Sequence, residues 1–227
     1  MKLISIERFI ANKYSHLLTM LITFLLLLPL FEKEQRETGL RLITLLLLLT
    51  IFLCLRVTVS NKKIFWACVS IAAFAYLLDA LSIYAESDQA KNAILIVNSI
   101  INCIFVASTI VILMKSMFKK PTINLNTILG GVCVYLLIGI LWAIFYMLQY
   151  KLDPTVIEGE ADSSLFYFSY TTLTTLGYGD IVPKAKFMMM LASFEAIAGQ
   201  MFLAVFIARL VGLHTAQEIR RKDKTSN

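Results

Sequence analysis

Six apolar runs, each long enough to cross a bilayer or close to it, dominate this 227-residue chain. A spanning helix needs roughly 20 mostly apolar residues. The runs cover 15–31, 40–59, 64–84, 93–114, 123–149 and 187–212, with polar breaks such as Asn61-Lys62-Lys63 and Lys119-Lys120-Pro121 between them. Apolar residues make up 59% of the chain and charged residues 16%. Polar side chains could not cover a globule of this size, which argues against a soluble enzyme and excludes a disordered tail. Cys54, Cys68, Cys103 and Cys133 lie inside the runs without CxxC spacing or histidine neighbours, so they read as buried thiols. The first run follows Lys2, Arg8 and Lys13, but it ends at Pro29-Leu30-Phe31-Glu32 and offers no small-x-small cleavage site. It is read as a retained span.

Basic residues orient the spans, because cytoplasmic loops carry an excess of Lys and Arg. With the N-terminus inside, the inner segments hold fourteen basic residues and the outer segments seven. Both termini are therefore expected in the cytoplasm. The net charge of +6 then reports topology, and nucleic-acid binding loses its motive. The basic inner segments are expected to meet anionic lipid, and the polar tail either to do the same or to extend the bundle as a short helix. Most acids fall on the outer side, among them Asp153, Glu158, Asp162 and Asp180. They fit ordinary solvated loops as well as a pore mouth that concentrates cations.

Between the fifth and sixth runs lies a segment of different character. Residues 151–162 are polar and acidic, and 163–174 are aromatic and hydroxyl-rich. The second stretch is too short to span, so a re-entrant helix is expected. The sequence T-T-L-G-Y-G-D follows at 174–180. Non-helical backbone at membrane depth is tolerated only where protein buries it or it lines a water-filled cavity. Two glycines flanking a tyrosine permit the dihedrals that turn successive carbonyls one way.

T-L-G-Y-G at 175–179 resembles the selectivity filter of the tetrameric potassium channels, and Asp180 matches the acidic position that follows it. Outer helix 123–149, pore helix 164–174, filter and inner helix 187–212 extend the resemblance over about 90 residues. The resemblance implies that the carbonyls of Thr175, Leu176, Gly177 and Tyr178, with the Thr175 hydroxyl, hold K+ ions. It implies that Gly179 and Asp180 support the filter, that four chains build one pore, and that no organic cofactor is needed. Leu176 stands where the family commonly has Val, and Thr171 where some members have a glutamate tied to inactivation. Gly199 falls where the family places a gating hinge; close helix packing is the other reading. Gln200, Leu203, Ile207 and Val211 recur at helical spacing and are cavity candidates. Arg209 and His214 read as snorkelling cations at the inner end.

Six spans with the filter after the fifth resemble the voltage-gated architecture in a compact prokaryotic-type form. Yet 93–114 contains no Lys or Arg, so the family's gating arginines have no counterpart. Asp79 is expected to bond Asn98 or Asn102, which share a face at i, i+4. Glu195 is the only acid inside the two pore-forming helices. Its helical position points it away from the cavity face and towards the back of the pore helix, where Ser169, Thr171, Thr172 and Thr174 offer hydroxyls. It is expected to brace the filter there, either as a structural polar contact or with its proton coupled to conduction.

The expected molecule is an all-α membrane protein with six transmembrane helices and a re-entrant pore helix and filter between the fifth and sixth. Residues 1–120 form a voltage-sensor-like four-helix domain, 121–213 the pore domain and 214–227 a short cytoplasmic tail. As a homotetramer in the plasma membrane, or the inner membrane of a bacterium, it would pass K+ passively and without strong voltage gating. A potassium transporter subunit and a non-conducting scaffold or sensor are the rival readings. No nucleophile, base and orienter cluster at an aqueous surface, so no enzyme is expected.

Overall fold

The computed structural model describes residues 13–32, 52, 62–82, 87–118, 124–159 and 161–225. The helices are α1 (Lys13–Glu32), α2 (Lys62–Leu81), α3 (Asp88–Phe118), α4 (Leu125–Leu152), α5 (Ala161–Leu173) and α6 (Lys186–Thr225). Three of them hold stretches long and apolar enough to cross a membrane: Gln89–Phe118, Leu125–Leu152 and Lys186–Ile219. Among the described residues α1 and α2 hold shorter apolar stretches, Tyr14–Leu28 and Val69–Leu78. Five of the six expected runs are thus helical, three at full spanning length. The remaining run, 40–59, lies outside the described residues except for helical Phe52.

The structure is mostly helical, as expected, and the polar stretch between α4 and α5 adds a short non-helical element. A 3-10 turn (Pro154–Val156) leads into β1 (Ile157–Glu158), which pairs antiparallel with β2 (Val182–Pro183). Asp153 starts the turn by accepting from the Thr155 N–H at 2.9 Å and the Thr155 hydroxyl at 2.7 Å. Those bonds hold its carboxyl below the usual value. The strand pair ties the chain before α5 to the chain after residue 180, so the 174–180 segment is closed at its base.

α4 is the centre of the packing. Its N-terminus is capped by Asn124, whose side chain accepts from the Thr127 N–H at 3.0 Å. Leu129, Cys133, Leu137, Ile140 and Ile144 form one buried stripe at helical spacing. Tyr14, Leu17, Leu21, Phe24 and Leu28 of α1 and Val106, Ile110, Leu113 and Met117 of α3 alternate steps of three and four residues against it. Such spacing lets side-chain ridges interlock. Lipid is as apolar as these side chains, so the assembly rests on fit more than on escape from water. Leu137→Ala should therefore lower stability by roughly 2 kcal/mol, the low end of the range for large-to-small core changes. Thermal unfolding in detergent measures it.

Candidate functional site

The site is built on the C-terminus of α5. The last carbonyls of a helix lack intrahelical partners. Here the chain folds back onto them: Thr174 N–H donates to Tyr170 O (3.1 Å) and Thr175 N–H to Thr172 O (2.9 Å). Leu176 and Gly177 N–H both donate to Thr171 O, at 2.8 and 3.1 Å. The backbone then takes positive φ at every second residue: 60° at Thr175, 53° at Gly177 and 79° at Gly179. A Cβ at Gly177 or Gly179 would meet nothing within 4 Å, so these glycines are needed for their dihedrals and not for space. Thr175 is β-branched, and its left-handed backbone costs about 1–3 kcal/mol, which the surroundings must hold in place.

Those surroundings are specific. The Tyr170 hydroxyl donates to Leu136 O of α4 at 2.7 Å, and the Tyr135 hydroxyl of α4 donates to Leu173 O at 3.4 Å. Gly139 leaves room for the Tyr170 ring, which a Cβ there would approach to 2.5 Å. From the other side, α6 presses Gly199 against the end of α5. A Cβ on Gly199 would lie 2.4 Å from Leu173 O. Glu195, one turn earlier on α6, has 0% exposure. Its Oε2 accepts from the Tyr146 hydroxyl of α4 at 2.6 Å, and its Oε1 lies 2.5 Å from Ser169 Oγ of α5. Ser169 Oγ also lies 2.8 Å from Gly139 O.

At the far end Tyr178 stacks on Tyr167, with centroids 6.4 Å apart and planes 6° apart. The Tyr167 hydroxyl bonds the Asp180 carboxyl, which also accepts from Ile181 N–H at 3.1 Å. Gly159, at φ 109°, passes so near Asp180 that a Cβ would sit 2.5 Å from its carbonyl oxygen.

The residues singled out in the sequence thus fall into two groups. Thr175, Leu176, Gly177, Tyr178, Gly179 and Asp180 form one exposed segment, and Glu195 and Gly199 form its buried backing. Among the hydroxyls expected to meet Glu195, Ser169 does so. Thr171 and Thr174 instead bond carbonyls of their own helix, Phe168 O and Tyr170 O. Tyr146 was missed. Its one signal is a phenol within an apolar helix, since a buried hydroxyl needs a partner. Gly199 has the close-packing contact, and α6 is one continuous helix through it. Gln200, Ile207 and Val211 are exposed on α6 and Leu203 is half-buried.

Arg209 departs from the snorkelling expectation. Its Nη2 donates to Met117 O at 3.0 Å, and its guanidinium lies 4.1 Å from the centre of the Phe118 ring. Carbonyls at the C-terminus of α3 carry partial negative charge and attract the cation. In α3, Asn102 Nδ2 donates to Asn98 Oδ1 at 3.4 Å. The expected partner side chain, Asp79, lies outside the described residues.

A family model described as "Ion channel" matches residues 132–215. "Two-pore potassium channel 1" of Arabidopsis thaliana is 30% identical over 93 residues, 41% of this chain and 24% of that protein. "Two pore potassium channel a" of Oryza sativa subsp. japonica is 31% identical over 98 residues, 42% of this chain and 26% of that protein. The chain spans about a quarter of the length of these relatives. No solved structure matches. The likeness supports a membrane ion channel related to potassium channels. Channels are not enzymes, in agreement with the reading of the sequence.

Gly199→Ala places its methyl against a backbone carbonyl that cannot swing aside. It should lower thermal stability, whereas Gly212→Ala, with nothing within 4 Å, should not. Melting curves of the two purified variants decide this.

Proposed function

We propose that four copies of this chain form a potassium-selective pore through which K+ passes passively down its electrochemical gradient. The observation that carries the reading is the alternation of positive φ at Thr175, Gly177 and Gly179 within the sequence T-L-G-Y-G-D. Alternating hands turn successive carbonyls towards one side, and a ring of carbonyls can replace the hydration shell of K+. In this reading Thr175, Leu176, Gly177 and Tyr178 supply the ring, and α5 is a re-entrant pore helix. The C-terminus of α5 carries partial negative charge, which favours a cation at that end.

One chain supplies one strand of carbonyls, so a closed ring needs four. Exposed apolar surface supports assembly: Leu176 is 56% and Tyr178 69% exposed in the single chain. Only 6% of the most apolar window of α6 is buried, against 56% of that of α4. The relatives are named for two pores, whereas this chain contains one T-x-G-Y-G-D segment. Gln200, Leu203, Ile207 and Val211 would face the shared inner cavity. The place of action is the plasma membrane, or the inner membrane of a bacterium, with both termini cytoplasmic and the basic inner segments on anionic lipid.

Reconstituted protein should release K+ from liposomes much faster than Na+, and Gly177→Ala should abolish that flux by forbidding the required dihedral. Equal K+ and Na+ flux, or undiminished selective flux from the variant, would sink the reading. A silent wild type would favour a scaffold.

Opening should depend only weakly on voltage. One charge moved through 100 mV is worth about 2.3 kcal/mol. α3 carries no Lys or Arg between Lys91 and Lys115, so no basic residue sits at mid-membrane depth. A steep conductance–voltage curve without blocking ions would refute this.

A further inference from the structure

Proton counting at Ser169 assigns the state of Glu195. Ser169 Oγ has two oxygen neighbours at hydrogen-bond distance, Gly139 O at 2.8 Å and Glu195 Oε1 at 2.5 Å. A serine hydroxyl has one proton to donate, and a backbone carbonyl has none. One proton shared between two acceptors gives two long, bent bonds, which distances of 2.8 and 2.5 Å do not fit. Both contacts are hydrogen bonds only when Glu195 Oε1 carries a proton and donates it to Ser169 Oγ, which then donates to Gly139 O. Reversing the Tyr146 bond does not help, because Oε1 would still need the single Ser169 proton. With Oε1 protonated, Tyr146 donates to Oε2 at 2.6 Å and every contact has one donor and one acceptor. Without that proton, one of the Ser169 contacts becomes oxygen against oxygen in a site where Ser169 and Glu195 are fully buried. An unsatisfied buried polar group costs more than a typical hydrogen bond gains. The short distances alone fit an acid or a carboxylate; Gly139 O decides between them.

We propose that Glu195 is a proton-switched positioning residue for the 174–180 segment. As the acid it leaves Ser169 tied to α4, and as the carboxylate it takes the Ser169 hydroxyl for itself. In that step the Oε1–H bond breaks, its electron pair stays on the carboxylate and the proton passes to water. The Ser169 O–H then turns from Gly139 O to Oε1. α5 loses this tie to α4 and keeps, with donor and acceptor reversed, its tie to α6, within two turns of Thr174. Among the described residues the ionisable groups facing Glu195 are tyrosines, Tyr135 and Tyr146 from α4 and Tyr170 from α5. Each is a neutral phenol near neutral pH, and among the described residues none of the ion pairs involves Glu195. The switch is therefore a property of one carboxyl and one hydroxyl.

The flux consequence rests on the channel reading above, whereas the proton assignment does not. The test pairs K+ flux from liposomes with infrared spectra of the same full-length protein, both across pH. Wild type should show the carbonyl band of a protonated carboxyl at acidic pH. That band should vanish as pH rises, and flux should fall with it roughly fivefold, the weight of one net hydrogen bond. Glu195→Gln should lack the band and lose the flux response, because its amide N–H donates to Ser169 as the acid does. Ser169→Ala should keep a band, at shifted frequency for want of its acceptor, and should also lose the flux response. Spectra identical in wild type and Glu195→Gln, a band that persists at every pH, or a full flux response in either variant would overturn the proposal. Silent wild-type vesicles would remove the channel reading, while the band would still decide where the proton sits.

Discussion

A helix end with no room to relax governs this structure. The last turn of α5 must give its free carbonyls partners and also launch a segment that alternates dihedral sign. It does both by folding Leu176 and Gly177 N–H back onto Thr171 O. That arrangement contains a β-branched residue at φ 60°, so it persists only if α5 is held rigidly. The holding is done by side chains that cross between helices: Tyr170 to Leu136 O, Tyr135 to Leu173 O, and Ser169 between Gly139 O and Glu195. Membrane helices gain little from burying apolar surface. Polar ties and close approach then carry the specificity, and the two glycines that admit such approach, Gly139 and Gly199, sit on either side of α5.

The distribution of exposed and buried surface follows the same division. α1, α3 and α4 interlock through alternating steps of three and four residues, and their facing stripes are dry and apolar. α6 touches this body along Glu195, Gly199, Phe206 and Arg209 and leaves much of its remaining apolar surface uncovered. A helix that is apolar all round and packed on one side requires lipid or further copies of the chain on the others. Arg209 fastens the C-terminal half of α6 to the end of α3, so α6 is held there as well as around Glu195.

Much of this was legible in the residues. Apolar runs of bilayer length announce helices because backbone groups in lipid must satisfy one another. The turn-rich T-T-L-G-Y-G-D stood out because it interrupts that rule, and the positive φ at Gly177 and Gly179 is what those glycines promised. Glu195 was placed correctly by angular arithmetic along one helix. The strand pair 157–158 with 182–183 has no periodic signal at two residues per strand.

The sequence by itself determined the membrane class, the helical order and the one segment with unusual backbone freedom. Local steric and solvation rules act over a few neighbouring residues, so they can be read along the chain. Only the tertiary structure decided that Tyr146, forty-nine residues from Glu195, supplies its second hydrogen bond, that Gly199 is spent on Leu173 O, and that Arg209 reaches the end of α3 instead of water. Those are contacts between helices whose relative rotation depends on the fit of many side chains at once, and no single stretch of sequence encodes that rotation.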